Sequence, residues 1–378
     1  MKIHLVGGAV RDFLLGRPAA DRDYLVIEAT PGEFLAARKG AFMAGKAFPV
    51  ALYKGAEYAW PRGGSLAEDL ALRDLTINAL AMRTCPLGPP YISAHPRALG
   101  DLRDRILRPA SETALADDPA RVFRAARFAA QFPDFSPHPS LLDQMRELAG
   151  SAALDGIAPE RICAETRKAL CAPKPGRFLE LLAGTGCLAP WFRELAGADA
   201  IPAGPPKFHD KSVLGHTIQV MNALAGDELA VWMALCHDLG KTLTPAESLP
   251  RHIGHDKAGE APAKSLGGRL RLPGRHIEAG ALAARLHMKA GRYDELRPGS
   301  KTDLLTVLHA RKLLERLFRL VAADHGRDYL DIARRDLLTV LSVRLGEKDR
   351  NLGAASGEKL RSLRAQALRN ASMVSFDR

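Results

Sequence analysis

The sequence predicts an α+β protein, with a mixed head to about residue 110 and helices from there on. Three observations predict it. Alternating stretches rich in β-branched and aromatic residues are confined to the first 110 residues. Beyond them, apolar residues recur at helical spacing. Aromatics are only 6% of a chain that is 47% apolar, so Ala and Leu must fill most of the interior, as suits helices. At 378 residues the chain is expected to hold two or three domains.

In order, IHLV (3–6) reads as a short strand, and GGAVRDFLLG turns into a helix that Gly16 stops. DRDYLVIEA alternates and reads as a strand; PGEFLAARKG, with Pro31 near its start and Gly40 after its end, reads as a helix. FPVALYKGAEYAW reads as two strands joined at Lys54-Gly55. RDLTINALAM is expected to be an apolar helix preceded by Arg73 and Asp74. In ADDPARVFRAARFAAQF, Asp118 is expected to cap a helix and Pro119 to take its first position. Further helices are expected at about 140–149, 159–171 and 176–184. GADAIPAGPPKFHDKS, crowded with Pro and Gly between Pro202 and Pro206, reads as a linker. Helices resume near 214, and the segment from 346 reads as a polar, basic, partly frayed tail. The expected divisions are therefore 1–110, 111–200, 201–345 and 346–378.

The net charge is +11 and the pI about 9.6, which suits a polyanionic partner. The charge is uneven: +4 over 1–110, −2 over 111–210 and +9 over 211–378. The five cysteines, Cys85, Cys163, Cys171, Cys187 and Cys236, form no C-x-x-C pair and read as reduced thiols of a cytoplasmic protein. No signal peptide and no run of 18 apolar residues is found, so no membrane partner is expected.

Three short stretches carry chemistry. Gly7 and Gly8 free the backbone to approach an anion at a helix start, with Arg11 one turn in. Asp21 and Asp23 lie two apart on an expected strand, so both carboxylates face one way and suit Mg²⁺ with substrate phosphates. Alone, a Gly-Gly turn is usually structural and an Asp-x-Asp usually a surface edge; together they point to phosphoryl chemistry. Arg73 fits a nucleotide's phosphates or ribose. Asp118, Arg121 and Arg124 share a helical face, where a carboxylate can accept from an exocyclic amine and an arginine can donate to a base's ring nitrogen and carbonyl. Glu57 is a weaker candidate for a third metal carboxylate.

LVGGAVRDFLLG, DRD, RDLTINALAM, DDPARVFRAARF and PERICAE occur in the order found in class II tRNA nucleotidyltransferases, the CCA-adding enzymes, which the chain resembles to about residue 190. The resemblance implies a polymerase-β-like nucleotidyltransferase head followed by an all-α neck and body. It implies that Gly8 and Arg11 bind the incoming nucleotide and that Asp21 and Asp23 are catalytic and hold Mg²⁺. Arg73, Arg121 and Arg124 would contact ATP or CTP, with Asp118 and Arg121 reading the base. Glu160, Arg161 and Glu165 resemble the family's structural ER…E motif. Two departures stand out. Asp117-Asp118 replaces the usual Glu-Asp. AWPRGGSLAEDLAL (59–72) is shorter than the flexible loop implicated in switching from CTP to ATP.

A second constellation follows. His216, the adjacent His237 and Asp238 of ALCHDLGKT, and Asp324 are suited to hold a divalent ion. This order resembles an HD-type metal phosphohydrolase, an all-α HD domain of the kind appended to some proteobacterial CCA-adding enzymes. His252 and His255 of RHIGHDKAG are weaker candidates, His276 and His287 weaker still; His4, His95, His138 and His309 read as structural. The resemblance implies phosphatase and 2′,3′-cyclic phosphodiesterase activity with Ni²⁺, Mn²⁺, Co²⁺ or Mg²⁺.

The function expected from the whole is addition of C, C and A to tRNA 3′ ends from CTP and ATP without a nucleic-acid template, the acceptor arm being gripped by the helical body. The alternatives are a CC-adding enzyme that stops before A, a poly(A) polymerase, and an HD phosphohydrolase or RNA-binding module with a degenerate head. The sequence leaves monomer and dimer open.

Overall fold

The computed structural model describes every residue except 19–21, 46–48, 84–89, 208–209 and 375–378, with side chains described through Ala371. The chain divides into two compact units, Met1–Ile157 with Leu181–Pro190, and Ala158–Glu180 with Trp191–Arg378. The expected head therefore shares its unit with the helices that follow it up to Ile157.

The first unit is built on a seven-stranded sheet. Its strands are β1 (Lys2–Val6), β2 (Asp23–Ile27), β3 (Phe42–Ala44), β4 (Val50–Tyr53), β5 (Ala56–Ala59), β6 (Leu80–Arg83) and β7 (Tyr91–Ala94), in the order β3-β4-β5-β2-β1-β6-β7. All neighbours are antiparallel except β2 and β5. The β4–β5 turn falls at Lys54-Gly55 as expected, both residues having positive φ, the backbone that matches the twist of a two-residue hairpin. Alternation gives the sheet two buried faces. Val10 of α1 (Gly8–Leu14) and Ala98 of α4 (Ala98–Arg103) pack on Leu80 and Met82. On the opposite face Leu66 and Leu70 of α3 (Leu66–Ala71) meet Val6, Leu25 and Ala81. A Thr30/Glu33 capping box starts α2 (Pro31–Ala37), whose Phe34 packs on Val26 and Ala51.

Two expectations in this unit are corrected. RDLTINALAM is not a helix: residues 76–78 form a 3-10 turn and Leu80–Arg83 the interior strand β6. Leu75 to Met82 are all buried, and a short run buried on every side does not separate strand from helix by spacing. The second half of the short stretch 59–72 is α3, started by a Ser65/Glu68 capping box. The helix after Asp118 starts later than expected. Asp118 is extended and ends α5 (Ala114–Asp117), and α6 runs Arg121–Gln131. Pro119 disfavours helical backbone at Asp118. The unit also contains α7 (Pro139–Leu148), α8 (Ala152–Asp155) and a small pairing of β8 (Ile106–Leu107) with β9 (Ser136–Pro137).

Helices α9 (Pro159–Leu170) and α10 (Gly176–Gly184) lie close to the expected positions. The rest of the second unit is helical: α11 (Val213–Ala223), α12 (Glu228–Cys236), α13 (His255–Ala258), α14 (Glu260–Arg269), α15 (Gly274–Ala290), α16 (Pro298–Ala310), α17 (Leu314–His325), α18 (Leu330–Ser342) and α19 (Ala354–Val374). Helix α12 is its axis, buried from Ala230 to Cys236 and packed on α11, α15 and α17. Gly280 of α15 is needed there, because a Cβ would lie 2.7 Å from Trp232 and Cys236. The expected frayed tail is instead the helix α19, which packs on α16 and α18, with Leu368 buried.

Candidate functional site

In the head, strand register gathers the candidate residues. Asp23 pairs with Val6 on one side and Glu57 on the other. Paired residues share a face, so Asp23 and Glu57 lie side by side on the α3 face, at the end of β1 that leads into Gly7. Both are exposed, and neither has an ion-pair or hydrogen-bond partner among the described residues. Asp21 lies outside the described residues.

Gly7 has φ +73°, and a Cβ on it would sit 2.9 Å from the Arg73 guanidinium. Only glycine fits this close approach. Arg73 in turn donates to Asp69 from Nε and Nη2 at 3.1 and 3.0 Å, and Asp69 also accepts from Arg62. Burial pushes the Asp69 carboxyl up, but Arg73 and Arg62 outweigh it and hold it below its ordinary value.

Beneath this lies a buried polar chain. Arg11, 4% exposed, donates to Asn78 and Asp12 and lies 4.7 Å from the Phe132 ring centre. Asn78 donates to Asp74, which also accepts from the Leu75 amide at 2.8 Å and from Arg124 at 2.5 Å. Arg121 donates to three backbone carbonyls, those of Leu72, Arg73 and Ala114, and its Nε stands 3.8 Å from Asp118. Arg121 thus ties α6 to the segment carrying Arg73, and Arg124 ties it to Asp74. Asn78 thus joins two charged residues, Arg11 and Asp74, that lie far apart in the chain.

Burial pushes the Asp74 carboxyl up, yet Arg124, the Leu75 amide and Asn78 draw it below its ordinary value. A depressed carboxyl contributes stability above its unfolded-state value and loses it as pH falls through the folded one. Asp74→Ala is therefore expected to destabilise the protein by roughly 2–4 kcal/mol at neutral pH. Urea titrations of the variant and the parent should converge as pH falls through the acidic range.

In the second unit, α11 supplies His216, the end of α12 supplies His237 and Asp238, and α17 supplies Asp324. His216 Nε2 stands 2.9 Å from Asp324 and 3.7 Å from Asp238; His237 Nε2 stands 3.2 Å from Asp238 and 3.9 Å from Asp324. His255 and His287 reach the other Asp238 oxygen at 3.3 and 3.5 Å. Two ligand triads result, His216–His237–Asp238 and Asp238–His255–His287, with Asp238 common to both.

Three of these rings are oriented by their far nitrogens. The Nδ1 atoms of His237, His255 and His287 lie 2.6, 2.7 and 2.9 Å from the carbonyls of Ala234, His252 and Ala284. That leaves each Nε2 facing the centre, the orientation typical of metal-ligating histidines. His237 Nε2 and both Asp238 oxygens are buried without a well-directed hydrogen bond. Such a donor set fits a divalent cation. Burial pushes His237 down, but Asp238 and Asp324 outweigh it and push it up to about 9. Against the pull of burial, His237 and Lys241 hold Asp238, and His216 and His237 hold Asp324, well below the usual carboxylate range.

Of the weaker candidates, His255 and His287 join the centre. His252 does not, because its ring nitrogens meet Thr244 and the Pro202 carbonyl at 2.8 Å each. His276 lies elsewhere, on Glu228. Sequence reasoning missed Lys241, whose Nζ is 2.7 Å from Asp238 and 2.9 Å from the Ala203 carbonyl, and His325, 3.2 Å from Asp324. The Lys in HDLGK was the available signal for the first. The stretch read as a linker is also corrected: Ala203, Gly204 and Pro205 wall the cavity over the centre.

Comparison with known proteins gives two family matches. Residues 134–198 match the family described as "Probable RNA and SrmB-binding site of polymerase A", and residues 213–329 match the HD domain. The chain is 38% identical to the Multifunctional CCA protein of Stenotrophomonas maltophilia (strain R551-3), over 97% of this chain and 99% of that one. It is 39% identical to the protein of that name from Chromobacterium violaceum, over 85% and 83%. Among solved structures, the fold is shared with the Bacillus stearothermophilus CCA-adding enzyme in complex with CTP (TM-score 0.65, 24% identity, 98% and 89% covered). It is shared too with the Thermotoga maritima CCA-adding enzyme complexed with tRNA (TM-score 0.64, 18% identity, 97% and 87% covered).

Proposed function

The chain belongs to the multifunctional CCA protein family, and on that premise we propose that it is a cytoplasmic tRNA nucleotidyltransferase that adds C, C and A to tRNA 3′ ends from CTP and ATP. The observation that carries this reading is the strand register that sets Asp23 beside Glu57 at the end of β1 that leads into Gly7, with the Arg73 guanidinium against Gly7. The terminal ribose hydroxyl of tRNA attacks the α-phosphate, and pyrophosphate leaves. Asp21 and Asp23, with Glu57 beside Asp23, would hold Mg²⁺, which lowers the charge barrier between nucleophile and triphosphate. Gly7 and Gly8 let the phosphates approach the backbone, and Arg73 balances their charge. Arg11, Asn78, Asp74 and Arg124 support the floor of the niche and the angle of α6, and Asp118 and Arg121 would select the base. Basic surface grips the tRNA backbone in a salt-sensitive way.

The second centre supports a phosphohydrolase acting on phosphate-bearing RNA ends, including 2′,3′-cyclic phosphates. His216, His237, Asp238 and Asp324, with His255 and His287, would hold Ni²⁺, Mn²⁺, Co²⁺ or Mg²⁺, which polarises the phosphate and activates water when bound. Lys241 holds a positive charge against Asp238.

The test is transfer of label from α-labelled CTP to tRNA stripped of its 3′ end. Label in the RNA, none from γ-labelled CTP, and no long tails on unrelated RNA given ATP are expected. Long adenylate tails would favour a poly(A) polymerase. Release of phosphate from 2′,3′-cyclic AMP or its monoester product, with each metal in turn, tests the second centre.

A further inference from the structure

Two cavities adjoin in the second unit. The first, about 310 Å³, lies over Asp238, His287 and Asp324. The second, about 340 Å³, is lined by Leu243, Glu247, Ser248 and Ala258 and reaches none of those three. Arg251, Ile253 and His255 line both and form the partition. His255 turns Nε2 to the metal ligands, so one edge of its ring belongs to the centre.

The partition has a distinct chemistry. Arg251 is exposed, and its guanidinium has no acidic partner among the described residues. It is a cation available to an anion at the junction of the two cavities. Ile253 is 93% exposed and Leu243 58% exposed, so the second cavity has apolar surface at its mouth. Glu247 and Ser248 add an acceptor and a hydroxyl. Walls of mixed character, with polar groups beside apolar surface, in a volume near the lower end of the range of roughly 300–1,000 Å³ for ligand pockets, suit a heterocycle on a hydroxyl-bearing sugar.

We propose that the second cavity binds the nucleoside of a 2′- or 3′-phosphorylated RNA end whose phosphate lies in the first, with Arg251 holding the phosphate between them. This rests on the phosphohydrolase reading of the second centre. It makes the site selective for nucleotides over simple phosphate esters.

The test is calorimetric titration of the full chain, in chelator so that nothing is turned over, with adenosine 3′-monophosphate and with inorganic phosphate. Ala258→Trp and Ser248→Trp, both at exposed positions, fill the second cavity only. Each is expected to weaken nucleotide binding at least 10-fold and leave phosphate binding within 2-fold. Arg251→Ala should weaken both ligands, and Arg251→Lys should recover part of the loss. Nucleotide binding unchanged in both Trp variants, equal loss of both ligands, or no nucleotide binding by the parent would overturn the proposal. Hydrolysis of glycerol 2-phosphate by the metal-loaded parent is scored separately. If it is absent while the binding pattern holds, the hydrolase reading fails and the nucleoside cavity stands.

Discussion

Asp23→Ala is expected to lower nucleotide incorporation into tRNA by on the order of 10³-fold, the several kcal/mol that charge stabilisation at a metal supplies. Phosphohydrolase turnover should stay within twofold. The asymmetry follows from placement. Asp23 sits on β2 beside Glu57 in the first unit, whereas the histidine cluster lies in the second. Asp23 is exposed and unpaired among the described residues, so its loss should change stability by less than about 0.5 kcal/mol. A thermal melt that matches the parent, beside a lost primer-extension product, is the expected pair of readings. A large fall in melting temperature would show instead that Asp23 acts in folding.

Asp238→Ala should give the mirror image. Both ligand triads share this residue, so one substitution removes a ligand from each. Metal content by mass spectrometry should fall to background, and hydrolysis of phosphate esters should drop by at least roughly 10²-fold. Tail addition to tRNA should persist at temperatures where the variant is folded. Stability also changes here, because buried Lys241 and His237 lose their counter-charge. Breaking a buried pair in this way costs roughly 3–5 kcal/mol, read as an earlier urea midpoint in chelator. Hydrolysis that survives would place the hydrolytic centre elsewhere.

Much of this was legible in the sequence where local chemistry and tertiary context agree. The Lys54-Gly55 turn, the helix start at Pro31 and the His237-Asp238 pair at a buried helix end are each specified within a few residues. The failures share one cause, that short-range spacing does not reveal what packs against it. Residues 75–82 are buried on every side because β6 lies inside the sheet with helices on both faces. The Pro/Gly stretch 202–206 has a linker's composition, yet the Pro202 and Ala203 carbonyls accept from His252 and Lys241, 38 or more residues on. Ala-rich, basic α19 has an exposed surface and only a thin apolar stripe, so it reads as a tail until α16 and α18 are set against it. Arg11 and Asn78 lie 67 residues apart, and only the fold shows them hydrogen-bonded beneath the niche.

The central claim is that side chains of the head, with no template, direct C, C and then A onto tRNA. The most direct measurement is a gel of single-nucleotide resolution on tRNA lacking its 3′ end, given CTP alone, ATP alone, or both. A two-nucleotide extension is expected with CTP, none with ATP, and three nucleotides with both. No extension under any condition would contradict the transferase. A product halted at two nucleotides with both present would contradict addition of the terminal A and point to the shortened segment 59–72.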